Sequence, residues 1–306
     1  MKLDVIHHAS CEDLRAVEDD SATLTVTSPP YWNAIDYDVH SREGGDAWYR
    51  TRKYAEGYRD YAEYLDWMDR VFSGILRKTR PGGFAAVVVG TVLMEGRHYP
   101  LPMDLVSRLT RSGWEFHQDI VWHKCTAGVK RAGVFIQKPY PGYFYPNIMT
   151  EYILVFRKPG LALYDKKSSK EKSGARVPVD DIFKRDIANN IWHIAPVPPG
   201  HLKHPCPFPE EIPYRLIRLY SYPGDVILDP FTGSGQTHKV ARYLGRHYVA
   251  YDTCEAYVEY ARERLGQPPA IRPEQLIARF EKVSSETPKT RAAPSRRNKT
   301  AVKGVK

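Results

Sequence analysis

Two short stretches of this chain combine residue types that do chemistry with the spacing of turns that follow strands. The first is Thr27-Ser28-Pro29-Pro30-Tyr31-Trp32, a polar, proline-rich and aromatic turn behind the apolar, β-branched run Ala22 to Val26. Two consecutive prolines continue neither a helix nor a central strand, so the backbone is stiff where Ser28 and Tyr31 must face outward. That stiffness suits an active-site loop, and equally an ordinary proline turn with an aromatic cap. The second stretch is Asp229-Pro230-Phe231-Thr232-Gly233-Ser234-Gly235-Gln236-Thr237, which follows the short apolar run Val226-Ile227-Leu228. A strand, a glycine-rich turn and a helix, with an acid ending the next strand about 20 residues on, hold an adenosine-containing cofactor. Glycines admit the ligand to the backbone, and the acid, here Asp252, accepts hydrogen bonds from ribose hydroxyls. The third glycine of the dinucleotide fingerprint and the Gly-Lys-Ser/Thr of a P-loop are both missing, which argues against a nicotinamide cofactor and against ATP. By itself, a Gly-x-Gly turn is explained by chain folding as well as by a ligand.

The elements that must position these loops read as alternating α/β. Strands are expected at Leu3 to His7, Thr23 to Val26, Phe84 to Val89, Trp114 to Trp122, Tyr152 to Phe156, Ile191 to Ile194, Val226 to Leu228 and Tyr248 to Tyr251. The unbroken apolar run Phe84 to Val89 is the pattern of a strand buried on both faces of a parallel sheet. Helices are expected at Tyr61 to Arg77, Leu101 to Arg111, Ile212 to Tyr220, Thr237 to Tyr243 and Tyr257 to Leu265, with a helical turn or two at Cys11 to Val17. A break is expected at Arg80-Pro81-Gly82-Gly83. A doubly wound sheet accounts for the whole set.

Composition narrows the class. The 306 residues allow one large α/β core with elaborations, and the mean hydropathy of -0.50 is that of a soluble globular protein. No apolar run approaches the ~20 residues of a membrane span, and the first residues lack the apolar core of a signal peptide, so a cytoplasmic home is expected. Cys11, Cys125, Cys206 and Cys254 form no Cys-x-x-Cys pair, which argues against a disulfide scaffold. His201, His204 and Cys206 lack a clear fourth ligand, and no metal is expected. The formal charge is +9, and residues 268–306, with ten Lys or Arg against three Glu, carry most of it. A catalytic body at 1–265 and a basic, disordered tail at 266–306 are therefore expected.

Three segments mix cations with aromatic rings: a mobile loop at 33–60 containing Arg52 and Lys53, residues 124–147 with Lys130, Arg131, Lys138 and Tyr143, and residues 158–190. Cations that hold phosphates, beside rings and polar groups that approach bases, suit a nucleic-acid surface.

Taken together, Ser28-Pro29-Pro30-Tyr31 and Asp229 to Gly235 make the chain, from about Asp4 to Leu265, resemble the S-adenosylmethionine-dependent DNA amino-methyltransferases. Their acceptor loop has the form Asp/Asn/Ser-Pro-Pro-Tyr/Phe. The acceptor loop lies upstream of the cofactor loop, which is the circularly permuted order called the beta class. The resemblance implies a Rossmann-like class I methyltransferase sheet with helices on both faces and inserted DNA-recognition segments. It implies a catalytic set of Ser28, Pro29, Pro30 and Tyr31, in which the Ser28 hydroxyl and the Pro29 carbonyl accept the N–H groups of a base's amino group. Tyr31 stacks on the flipped base, and Trp32 widens that platform or packs behind the loop. It implies that S-adenosylmethionine is held by Asp229, Pro230, Phe231, Gly233, Ser234, Gly235, Thr237 and Asp252. His204, Pro207 and Phe208, in the segment His204 to Glu210, help enclose its methionine end.

Ser-Pro-Pro-Tyr is similar to the loops of enzymes that methylate cytosine N4, whereas Asp-Pro-Pro-Tyr is commoner in adenine-N6 enzymes. Cytosine N4 is therefore the expected target and adenine N6 the alternative. A silent DNA-binding relative and an RNA or protein amino-methyltransferase are the remaining readings. Pro205-Cys206 imitates the nucleophile of cytosine-C5 enzymes but lies in the wrong order and context. The family's acid at the end of the first strand is absent from His7-His8-Ala9-Ser10-Cys11, where Ser10 is the substitute. Double-stranded DNA is the expected partner, with a cognate restriction endonuclease as functional companion.

Overall fold

The computed structural model describes residues 1–32, 60–94, 97–124, 141–142, 148–198 and 200–271. Of the expected DNA-contacting residues, Arg52, Lys53, Lys130, Arg131, Lys138 and Tyr143 lie outside these, as do the loop 33–59 and most of 124–147 and of the tail. A compact unit spans Met1–Ile271.

An eight-stranded sheet organises it: β1 (Val5–His8), β2 (Ala22–Thr27), β3 (Thr79–Val89), β6 (Glu115–His123), β7 (Thr150–Arg157), β8 (Ile191–His193), β9 (Val226–Asp229) and β10 (His247–Asp252). Their order is β1-β10-β9-β2-β3-β7-β6-β8. A small hairpin of β4 (Val92–Met94) and β5 (Arg97–Tyr99) stands apart. The helices are α1 (Tyr61–Lys78), α2 (Leu101–Arg111), α3 (Ser169–Gly174), α4 (Glu211–Tyr220), α5 (Gln236–Tyr243) and α6 (Glu255–Arg264).

The sheet is flanked by helices. Tyr64, Leu65, Met68, Val71, Phe72 and Ile75 of α1 recur at helical spacing and share one core with Leu101, Leu105 and Leu109 of α2. Ala85, Val87 and Val89 of β3 belong to that core, while the equally buried Ala86 and Val88 alternate to the other face. Covering both faces explains why β3 is apolar at consecutive positions.

The sheet is mixed rather than wholly parallel. β7 runs antiparallel between β3 and β6, pairing Val88 with Ile153 and Trp122 with Glu151. β3 also begins earlier than expected, at Thr79. A register shift between Ala22 and Leu24 of β2 takes up the extra residues, and Gly82 at φ +83° leaves room for the Leu161 carbonyl where a Cβ would sit. The expected break at Arg80 to Gly83 is thus an irregularity inside a strand. Cys11 to Val17 forms turns rather than helix. Glu12 N–H donates to Ser10 Oγ and Arg15 N–H to Asp13 Oδ1, local bonds that compete with helical ones.

Candidate active site

The two loops meet because their strands are neighbours. β2 and β9 pair in parallel, Leu24 with Ile227 and Thr25 with Leu228, so both loops leave the same edge of the sheet. From β9 the chain passes through α5 to β10 on one side, and from β2 through α1 to β3 on the other. The site is therefore the point where the strand order reverses, the crevice in which open α/β sheets bind ligands.

Two buried hydrogen bonds tie the loops together. Thr27 Oγ1 donates to Asp229 Oδ1 at 2.8 Å, and Thr237 Oγ1 donates to the Val26 carbonyl at 3.1 Å. Burial pushes the Asp229 carboxyl up to about 7, against the opposing pull of hydrogen bonds from Thr27, the Phe231 amide and Thr237.

On the acceptor side, Ser28 Oγ donates to the Val88 carbonyl at 3.1 Å. The hydroxyl proton points into β3, which leaves oxygen lone pairs to accept from a ligand. Tyr64 Oη donates to the Pro30 carbonyl at 2.9 Å and so pins the proline turn to α1. Tyr31 Oη donates to Glu151 Oε2 at 3.0 Å, and Glu151 is ion-paired with Lys124. Trp32 does not widen a stacking platform. Its ring is 6% exposed and packs against Tyr61 and Tyr99 at centroid distances of 5.0 and 4.5 Å, because the α1 start and the β5 end offer an aromatic pocket behind the loop.

On the other side, Gly233 (φ +50°) and Gly235 (φ +83°) take a conformation that side chains resist. A Cβ on Gly233 would lie 2.7 Å from His204 Nε2, so the segment 204–210 closes directly on the glycine turn. His204 also stacks edge-on against Tyr257 at 5.0 Å, and the Phe208 carbonyl accepts from Gln236 Nε2 at 2.9 Å. Pro207 is half-buried beside them in sequence, Pro230 is buried, and Phe231 packs on Trp67 of α1 at 5.7 Å. Asp252 ends β10, where its two oxygens accept from the Gly233 amide at 2.8 Å and the Cys254 amide at 2.9 Å. Burial raises its carboxyl as well. Ser10 follows β1, the strand beside β10, and the Ala9 amide donates to the Asp252 carbonyl at 3.0 Å.

Sequence reasoning missed the buried polar network beneath the turn. Glu210 Oε1 pairs with Lys239 at 2.8 Å and Arg264 at 2.6 Å, and Arg264 also donates to the Ser234 carbonyl and to Gln236 Oε1. Its one signal was charged residues in otherwise apolar helical positions. Glu151 was missed too, although a carboxylate opening the apolar run Tyr152 to Phe156 was visible.

A strand-end Ser-Pro-Pro-Tyr loop facing a glycine turn across the switch point matches what the comparisons with known proteins return. The N6_N4_Mtase family, described as DNA methylase, matches residues 22–263. The chain belongs to this DNA methylase family. Among its relatives is the type II methyltransferase M.MjaI of Methanocaldococcus jannaschii, 28% identical over 271 residues that cover 82% of this methylase and 87% of that one. Among solved structures, the DNA modification methylase TTHA0409 of Thermus thermophilus is 30% identical with a TM-score of 0.66, covering 87% of this chain and 95% of its own. TTHA0409 has also been solved in complex with S-adenosyl-L-methionine. The PvuII cytosine-N4-specific DNA methyltransferase, 19% identical with a TM-score of 0.61 and covering 93% and 94%, shares the fold.

Proposed function

We propose that this methylase is a site-specific, beta-class DNA methyltransferase that moves a methyl group from S-adenosylmethionine to the N4 amino group of cytosine in duplex DNA, within a restriction-modification system. The observation that carries the reading is Ser28 Oγ, fixed at the switch point with its proton given to the Val88 carbonyl and its lone pairs available.

The residues present fit the cofactor. Gly233 and Gly235 offer bare backbone, the His204 ring closes over the turn where a Cβ would collide, and the Asp252 carboxylate stands at the end of the next strand for ribose hydroxyls. When bound, S-adenosylmethionine supplies an electrophilic methyl group on a sulfonium.

The chain's own residues prepare the acceptor. An exocyclic amino group is a poor nucleophile because its lone pair is delocalised into the base. Ser28 Oγ and the Pro29 carbonyl accept its two N–H groups, which localises the lone pair and aims it for in-line attack without a covalent enzyme intermediate. Tyr31 receives the flipped base as a stacking partner. Ser28, where an acid stands in many adenine-N6 enzymes, supports cytosine as the base. The test is incubation with unmethylated duplex DNA and labelled S-adenosylmethionine, followed by nucleoside analysis. Label in N4-methylcytosine is expected; label only in N6-methyladenine overturns the base assignment, and no transfer to DNA overturns the reading.

A further inference from the structure

We propose that Glu151, held by Lys124, is the positioning residue of the acceptor pocket, fixing where the Tyr31 ring lies before the base arrives. The inference rests on the reading of Tyr31 as the base-stacking residue. Glu151 opens β7, and its two oxygens are divided: Oε2 accepts from the Tyr31 phenol at 3.0 Å, and Oε1 is ion-paired with Lys124. The side chains of the pair are only 13% and 16% exposed, so solvent screens it less than a surface pair. Lys124 is itself held over the Trp122 ring at 4.9 Å, and Trp122 is the cross-strand partner of Glu151.

Gly90 is independent support. It is absent from the glycines with positive φ, so its backbone does not demand glycine. Space does: a Cβ there would lie 3.1 Å from Glu151 Cγ and 3.4 Å from Tyr31 Cε2. The end of β3 is thus cut away where the ring and the carboxylate sit side by side. An anchor on the phenol sets where the ring points, and the bare face of Gly90 sets how it is turned. Ser28 bonds to the Val88 carbonyl of the same strand, so both acceptor residues are moored to the β3–β7 edge. A stacking ring already in place spares the bound complex the cost of ordering it.

The test compares wild type, Tyr31→Phe, Glu151→Gln, the double variant and Gly90→Ala, all in the full chain, with unmethylated bacterial genomic DNA and labelled S-adenosylmethionine. Tyr31→Phe and Glu151→Gln should each lower kcat/KM for DNA on the order of tenfold, with cofactor affinity unchanged by calorimetry. Adding Glu151→Gln to Tyr31→Phe should cost less than about twofold more, because both remove one bond. In protein labelled at tyrosine Cζ, Glu151→Gln should shift the resonance that Tyr31→Phe deletes. Gly90→Ala removes neither group but presses on both, and should lower kcat/KM with the fold intact. Equal cost of Glu151→Gln in both backgrounds, an unmoved Tyr31 resonance, or full activity of Gly90→Ala overturns the inference while DNA methylation stands. A wild type that transfers no methyl group to DNA overturns the reading of Tyr31, and the inference with it.

Discussion

Replacing Thr27 by Val keeps the shape of the side chain while removing the hydroxyl that donates to buried Asp229 at 2.8 Å. A hydrogen bond to a charged group contributes about 1.5–3 kcal/mol. At about 1.4 kcal/mol per pKa unit, its loss should move the Asp229 carboxyl upward by roughly 1–2 units. The wild-type carboxyl already stands near 7, above its ordinary 3.8, because burial disfavours the charge. The folded state therefore holds its proton more tightly than the unfolded chain. The stability this contributes is complete below about pH 4 and is lost as pH rises through the folded value. In Thr27→Val the loss should continue to higher pH. Urea unfolding followed by circular dichroism should thus show a deficit below ~1 kcal/mol near pH 5, where Asp229 is protonated in both proteins, and about 2 kcal/mol near pH 9. Because Thr27 precedes Ser28, methyl transfer should slow at neutral pH as well. A deficit of the same size at both pH values, or none at either, would refute the link between the two loops as the source of the effect.

Four further outcomes are expected. Ser28→Ala should slow methyl transfer by about 10²-fold or more while leaving cofactor affinity near wild type, measured by single-turnover kinetics and calorimetry; parallel losses of both would remove Ser28 from the acceptor role. Gly233→Ala meets His204 Nε2 at 2.7 Å as well as a φ of +50°, so calorimetry should show cofactor affinity falling on the order of tenfold or more. Glu210→Gln leaves Lys239 and Arg264 buried without their counter-charge and should destabilise the fold by about 3–5 kcal/mol in urea, a cost that a peripheral ion pair would not show. Removing the tail should lower the salt slope of DNA binding in a filter assay. The cut belongs after Ile271 rather than Leu265, since the Ala270 amide donates to Glu210 Oε2 at 2.5 Å, and an unchanged slope would make the tail a bystander.

What the sequence determined by itself is whatever depends on near neighbours along the chain. Apolar spacing set the limits of α1 and α2, because a helix must present one face every 3.6 residues to a core. Two prolines and two glycines marked the loops, because backbone stiffness and a left-handed φ are local properties. Tertiary structure alone decided what those loops face. The bond from Thr27 to Asp229 joins residues 202 positions apart, and only the pairing of β2 with β9 brings them together. The antiparallel course of β7 placed Glu151 under Tyr31, and an aromatic pocket built from α1 and β5 drew Trp32 inward. The charged network of Glu210, Lys239 and Arg264 was hidden for the same reason: periodicity records that a position is buried, but the partner that makes a buried charge tolerable comes from another part of the chain.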